Sequence, residues 1–492
     1  MIRAIVFAAT LFALTMAESA GKSKKPSPSG PRSLTLAEAV SLALRQNPDL
    51  LKAIHEIERT RGQVLEVRAQ ALPTLQANGN YTQYDPQLVK GGGGGSLAST
   101  TSSASNSTAG STTGSSISSS TIASSSFEKS WRITLQVQQT IYSGGKVKAA
   151  VKIAELTEDT SHQMLRETVA TVIANVRTQF FTALLNRELI TVAEESIVLL
   201  SDQLTDQQNR FAAGTVPRFN VLQAEVELAN ARPDLIRAKN NFHISRLQLG
   251  KTLGLDDEPN VVGVLRIPSH QVNLARALAS ARKNRPILKA QQNTVAGDEE
   301  QITVARAGYK PSVTADVGYE FVNSRNSTDL ARVNNGWYLG VNGTWNIFDG
   351  FKTKGQVDQA RASLASARVN LADSVQQVEL EVQKAYAQAK VSREVIDSQT
   401  KVVEQADEAL RLSKERLSAG AGTQLDVLNS RVALTKARTT QKQALSDYNV
   451  ALAEYDRATG SGTFHDPTIP DPKTKSATGA LRRGAATLRP AD

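Results

Sequence analysis

The chain has 492 residues with an ordinary hydrophobic fraction of 40%, but only 5% aromatics and no cysteine. That excludes disulfides, thiolate metal sites and a cysteine-borne lipid anchor, and it suits long helices packed through small residues better than a large globular core. Of the formal charge of +10, residues 1–33 carry +4 and residues 461–492 carry +2, and no basic stripe interleaved with aromatics marks the body, so nucleic acid is not an expected partner.

In chain order, residues 4–17 form an apolar run after Arg3 and before Glu18. A helical membrane span needs about 20 residues, so residues 1–20 read as a signal peptide, cut near 17–20 at Thr15-Met16-Ala17. Residues 21–33 are a Lys/Ser/Pro leader without periodicity. Leu34 to Leu44 has helical spacing, and Asn47-Pro48 breaks it and starts a second helix to about Ala71. A weak strand follows, in which Leu75, Ala77, Gly79 and Tyr81 alternate with polar residues. Residues 87–127 hold Gly91 to Gly95 and then a Ser/Thr/Ala/Gly tract, which cannot bury enough apolar surface to order itself and reads as a long extracellular loop. Trp131, Ile133, Leu135, Val137 and Ile141 then alternate as a second strand. From about Lys146 to Ala212 no proline interrupts a helical pattern, which implies a helix about 100 Å long. Ala213-Gly214 stops it, Pro217 restarts the chain, and Arg218 to Leu253 is long enough to fold back. Residues 255–272 are a linker.

The same order then returns. Asn47 to Ala53 (NPDLLKA) recurs 237 positions later as Asn284 to Ala290 (NRPILKA). Arg68-Ala69 with Pro73 returns as Arg306-Ala307 with Pro311. Ile141-Tyr142-Ser143-Gly144-Gly145-Lys146 returns as Ile347-Phe348-Asp349-Gly350-Phe351-Lys352, and Arg210 to Gly214 as Arg416 to Gly420. The offset falls from about 238 to 206 across the Ser/Gly tract, which adds about 32 residues to the first copy. The repeats are therefore residues 34–254 and 273–460, with an unstructured tail at 461–492. In the second copy Val313 to Phe321 and Trp337 to Ile347 alternate as strands. A helix runs from about Lys352 to Ser418, with Val357, Leu364, Leu371 and Val378 stepping by sevens beside Ala360, Ala367 and Ala385, a coiled-coil seam with small knobs. Thr423 to Thr459 folds back.

Each alternating run has about 10 residues, the length of a strand in an outer-membrane barrel. Trp131, Trp337 and Trp345 fall near strand ends, where membrane-interface aromatics belong. A soluble sheet would alternate equally well; the signal peptide and the very long helices favour the membrane. No catalytic, cofactor or metal site is expected. The five histidines are never at ligand spacing, no acid pair or Ser/His arrangement stands out, and Gly250-Lys251-Thr252 lacks the earlier glycine of a phosphate loop.

The paired Gly214 and Gly420 turns, each followed by Val-Leu (Val221-Leu222, Val427-Leu428), and the paired Tyr142/Phe348-x-Gly turns resemble TolC-type outer-membrane efflux factors over about Leu34 to Gly460. The resemblance implies a mixed α/β membrane protein of the outer membrane, reaching into the periplasm. Its homotrimer would join four transmembrane β-strands per protomer into a twelve-strand barrel, and the coiled hairpins into a periplasmic tunnel. Strand count reaches the trimer separately, since four strands cannot close around a lumen and an open edge cannot face lipid. The implied function is the exit duct of a tripartite efflux or type I secretion system, fed by an inner-membrane pump through a periplasmic adaptor. The hairpin tips Arg210, Gly214, Thr215, Arg416, Gly420 and Ala421 would meet the adaptor. Asp426 matches the first aperture aspartate of that family, with Asn429 where a second would stand; Asn220 and Gln223 hold the corresponding places in the first copy. The rival reading is an exported structural or adhesive coiled coil without a channel, for which the period-two strands have no use.

Overall fold

The computed structural model describes residues 33–83, 129–268, 272–323 and 333–460. The expected signal peptide, the leader up to residue 32, the tract at 87–127 and the tail lie outside them. The first copy comprises β1 (Ser33–Leu34), α1 (Leu36–Gln46), α2 (Pro48–Ala69), β2 (Thr74–Gln83), β3 (Lys129–Tyr142), α3 (Lys146–Ala212) and α4 (Arg218–Leu253). After β4 (Asn260–Val261) come α5 (Leu274–Asn284), α6 (Pro286–Arg306), a 3-10 turn (Ala307–Tyr309), β5 (Ser312–Asn323), β6 (Val333–Thr344), α7 (Lys352–Ser418) and α8 (Gln424–Thr459). The long helices α3 and α7 have 67 residues each, and their return helices α4 and α8 have 36 each.

Local chemistry sets the boundaries. Thr35 caps α1 in a capping box with Glu38, whose carboxylate accepts the Thr35 N–H at 2.8 Å. Asn273 caps α5 with its side chain. Both helices end before a proline, and the preceding residues Asn47 (ψ 127°) and Arg285 (ψ 120°) are extended, as proline requires of its neighbour. These prolines correct the repeat register by one. Pro48 equates with Pro286 and buried Leu50 with buried Leu288, so the offset is 238 rather than 237. The shared Leu-Lys-Ala letters drew the sequence match out of register.

Two compact units divide the chain: Met1–Thr60, Thr157–Val295 and Ser366–Asp492 form one, and Arg61–Leu156 with Ala296–Ala365 the other. The first unit holds two related cores. In one, Ala39, Ala43, Leu50, Val172, Val176 and Leu249 pack together; in the other, Ala277, Ala281, Leu288, Val378, Val382 and Tyr455 do. Each residue of the first set has its counterpart in the second at the repeat offset, so the duplication is written in the packing. Alanines let α1 lie close to α4 and α5 close to α8, and burying these side chains is the main stabilising term. One detail was not expected: β1 and β4 form a short parallel pair, Leu34 opposite Val261, so the linker contributes a strand.

The second unit holds one antiparallel sheet in the order β2-β3-β5-β6. Hairpins β2–β3 and β5–β6 meet along β3 and β5, with Gln136 opposite Gly318, and Ile141 is bulged out near the end of β3. The expected strand Trp337 to Ile347 is displaced: β6 ends at Thr344, so Trp345 and Ile347 lie beyond it. Asn323 and Val333 pair as the last rungs of β5 and β6; residues 324–332 lie outside the described part. Among the described residues no helix is long and apolar enough to cross a membrane.

Candidate functional site: a two-faced sheet and two hairpin turns

The ladder register settles the faces of the sheet, because side chains directly opposite share a face. Gln76, Gln136, Gly318 and Tyr338 lie in one row, with Asn78, Thr134, Glu320 and Gly336 in the next. Arg132, Gln138, Thr314, Asp316, Asn342 and Thr344 continue the same polar face. The opposite face carries Leu75, Tyr81, Trp131, Ile133, Leu135, Val137, Val317, Phe321, Leu339 and Val341. Its residues stay open to the outside, with Leu75, Trp337, Leu339 and Val341 among the most exposed large apolar side chains. On the polar face Arg132 pairs with Glu320 at 3.1 Å, and Asn342 Nδ2 donates to Asp316 Oδ1 at 2.9 Å. Glycines open this face: a Cβ at Gly318 would sit 2.7 Å from the Tyr338 ring, and one at Gly340 would sit 2.8 Å from the Asp316 carboxylate.

The three tryptophans separate. Trp131 opposes Tyr81 near the loop end of β3. Trp337 lies inside β6 opposite Tyr319 rather than at its end. Trp345 is past the strand, where its Nε1 donates to the Tyr309 carbonyl at 3.1 Å.

The first unit presents the two hairpin turns. At the end of α3, Gly214 has φ +74°, its N–H donates to Phe211 O at 2.9 Å, and Thr215 N donates to Arg210 O at 2.9 Å. Gly420 (φ +73°) repeats this, with Gly420 N donating to Leu417 O at 3.2 Å and Ala421 N to Arg416 O at 2.8 Å. This is the Schellman closure, which needs a left-handed residue and therefore favours glycine. Arg210, Gly214 and Thr215 thus share one turn, and Arg416, Gly420 and Ala421 the other. Arg210 also pairs with Asp206 at 2.9 Å.

The return helices start differently. Pro217 begins α4 without a side-chain cap, whereas Thr423 caps α8 in a box with Asp426. Thr423 N donates to Asp426 Oδ2 at 2.9 Å, and Asp426 N donates to Thr423 Oγ1 at 3.2 Å. The Thr423 backbone N–H, then its hydroxyl, hold the Asp426 carboxyl below its usual range, with Arg416 adding attraction. Asp426 is therefore an exposed helix cap, not a free surface carboxylate. Asn429 is exposed one turn on. Glu415 accepts from Arg411 at 2.6 Å.

Sequence reasoning missed the contacts that join the two hairpins. Gln424 Nε2 donates to Asn220 O at 3.5 Å, and buried Arg431 donates to Gln203 Oε1 at 2.7 Å. Arg438 pairs with Glu195 and Lys442 with Glu188, each at 2.9 Å. The Thr-x-x-Asp cap was readable at Thr423, since that spacing before an apolar run marks a helix start; the partners of Arg431 had no local signal. Phe351 was also missed. It holds φ +69° where the first copy has Gly145 at φ +94°, and it packs edge-on against exposed Phe348 at 5.7 Å.

Comparison with known proteins agrees with this geometry. Outer membrane efflux protein BepC of Brucella suis is 26% identical over 188 residues, which is 38% of this chain and only 40% of that protein. Nodulation protein T of Rhizobium leguminosarum bv. trifolii is 22% identical over 431 residues, 87% of this chain and 85% of its own length. The CmeC outer membrane channel of Campylobacter jejuni shares the fold, with a TM-score of 0.72 at 17% identity over 92% of this chain and 89% of that one. The model of the family described as outer membrane efflux protein matches residues 39–255 and 277–461. With both copies of its repeat matched, the chain belongs to the outer membrane efflux protein family.

Proposed function

We propose that this protein is the outer-membrane exit duct of a tripartite efflux or secretion system, a passive conduit for what an inner-membrane pump delivers through a periplasmic adaptor. The observation that carries the reading is the two-faced sheet with free edges at β2 and β6. One face is apolar enough for lipid, and the other is lined by amides, hydroxyls and a few charges, as a water-filled lumen requires. Four strands leave two open edges, which lipid does not tolerate. Three copies joined edge to edge give twelve strands and no edge. The hairpin turns at Gly214 and Gly420 are the surfaces for the adaptor, and Asp426 with Asn429 lines the entrance. A structural coiled coil without a channel has no role for such a sheet.

The test is the mass of the folded protein in mild detergent, with conductance after reconstitution into planar bilayers. A trimer that conducts is expected. A folded monomer would overturn the edge-closure argument.

A further inference from the structure

In the second unit a cleft of about 550 Å³ lies where the helices meet the strand ends. Its walls are the turn before α3, the end of α6 and the turn after it, the ends of β5 and β6, and the first turns of α7. Ser312 and Thr344 pair in register on the polar face and line the cleft, so the cleft continues that face past the strands.

Its chemistry is one-sided. Lys146 and Lys310 line it together with the amides of Gln301, Asn346, Gln356 and Gln359, and no Asp, Glu or Arg does. Neither lysine forms an ion pair among the described residues, whereas Lys152 meets Glu300 at 2.5 Å and Arg68 meets Glu155 at 2.6 Å. Lys146 is the first residue of α3, whose first turn holds no acidic residue, so the helix N-terminus adds to the positive potential. The backbone holds the two lysines in one wall. Gly144, at φ +66°, lies so close to the turn after α6 that a Cβ there would be 2.9 Å from Lys310 Cβ and 3.0 Å from Ala307 O.

We propose that this cleft is a holding site for polyvalent oxyanions, phosphate and its esters and oligomers, on their way along the polar face. The proposal rests on the conduit reading and names a cargo chemistry for it. Two like charges without partners repel, and a divalent anion between them relieves both. Ammonium groups with scattered amide and hydroxyl donors suit a tetrahedral oxyanion, which lysine binds as a point charge. The volume fits a small organic phosphate.

Calorimetric titration of the full-length protein in detergent with tripolyphosphate tests the site directly. Saturable binding at one per chain is expected, weakening as salt rises from about 0.1 M to about 0.5 M, with pyrophosphate and phosphate following in order of charge. The Lys146→Gln, Lys310→Gln double variant should lose about tenfold or more in affinity, and Lys148→Gln, an exposed lysine outside the cleft, should lose none. Both lysines are exposed, so unchanged circular dichroism is expected of the variants. No saturable binding by the wild type, or equal loss in the Lys148 variant, overturns the proposal. Planar-bilayer recordings separate it from the reading it rests on. Block by tripolyphosphate that is relieved in the double variant supports both. Binding without any conductance overturns the conduit and leaves the cleft, and conductance without binding overturns the cleft alone.

Discussion

Gly214, Gly254, Gly420 and Gly460 all end helices in the left-handed region, with φ between +66° and +74°, yet a methyl group should cost different amounts at each. An alanine forced left-handed costs about 1–2 kcal/mol, and its stiffer unfolded chain returns about 0.4–1 kcal/mol. At Gly214 and Gly420 a Cβ would meet nothing within 4 Å, so each alanine should destabilise by about 0.5–1.5 kcal/mol. At Gly254 the Cβ would lie 2.5 Å from the Gln46 carbonyl oxygen and 3.1 Å from its carbon. That carbonyl is backbone at the end of α1 and cannot rotate away, so overpacking adds about 1–3 kcal/mol. Gly254→Ala should therefore cost about 2–4 kcal/mol. Gly460 falls between, its nearest neighbour being Asn284 Cβ at 3.3 Å. Thermal unfolding of the detergent-solubilised variants, followed by far-ultraviolet circular dichroism, should rank the midpoints Gly214 and Gly420 highest, then Gly460, then Gly254. If Gly254→Ala unfolds with Gly214→Ala, the contact between α1 and the end of α4 is not as described.

Removing the Asp426 charge should lower cation preference in single-channel recordings and weaken block by multivalent cations. Asp426→Asn keeps an acceptor for the Thr423 N–H and should leave the tip intact, whereas Asp426→Ala also loses the cap; Glu415→Gln is the charge control, and equal shifts from Asp426 and Glu415 would rule out an aperture at Asp426. The pH dependence of stability should carry two opposite signs. Glu38 is held low by the Thr35 backbone N–H and hydroxyl, and Asp426 by Thr423, so their contribution is present above the unfolded values and lost as pH falls through the depressed folded ones. Burial pushes Glu167 up despite Arg285 and Arg457 beside it, so the stability withheld by its ionised form returns as pH falls through the raised value. The double variant Glu38→Gln, Asp426→Asn should lose less stability than wild type between about pH 5 and pH 3 in thermal scans, and an equal loss would count against both caps.

The long helices were legible in the sequence, because proline-free periodicity runs unbroken from about Lys146 and Lys352 to turns that favour glycine. The sequence also determined the duplication and the alternation of the strands, which are local patterns of period 3.6 and 2. The one-residue slip at Asn47 to Ala53 shows where letters mislead: proline geometry and the burial of Leu50 and Leu288, not identity, fix the register. The pairing of the hairpins along β3 and β5, the meeting of β1 and β4, and the burial of Arg431 against Gln203 come from long-range packing. The same holds for Lys146 and Lys310, which share a cleft although 164 positions apart. These contacts join residues far apart in sequence, where no periodicity reaches. They are set by which apolar faces can be buried together, and a polar side chain's role follows from what that burial leaves beside it.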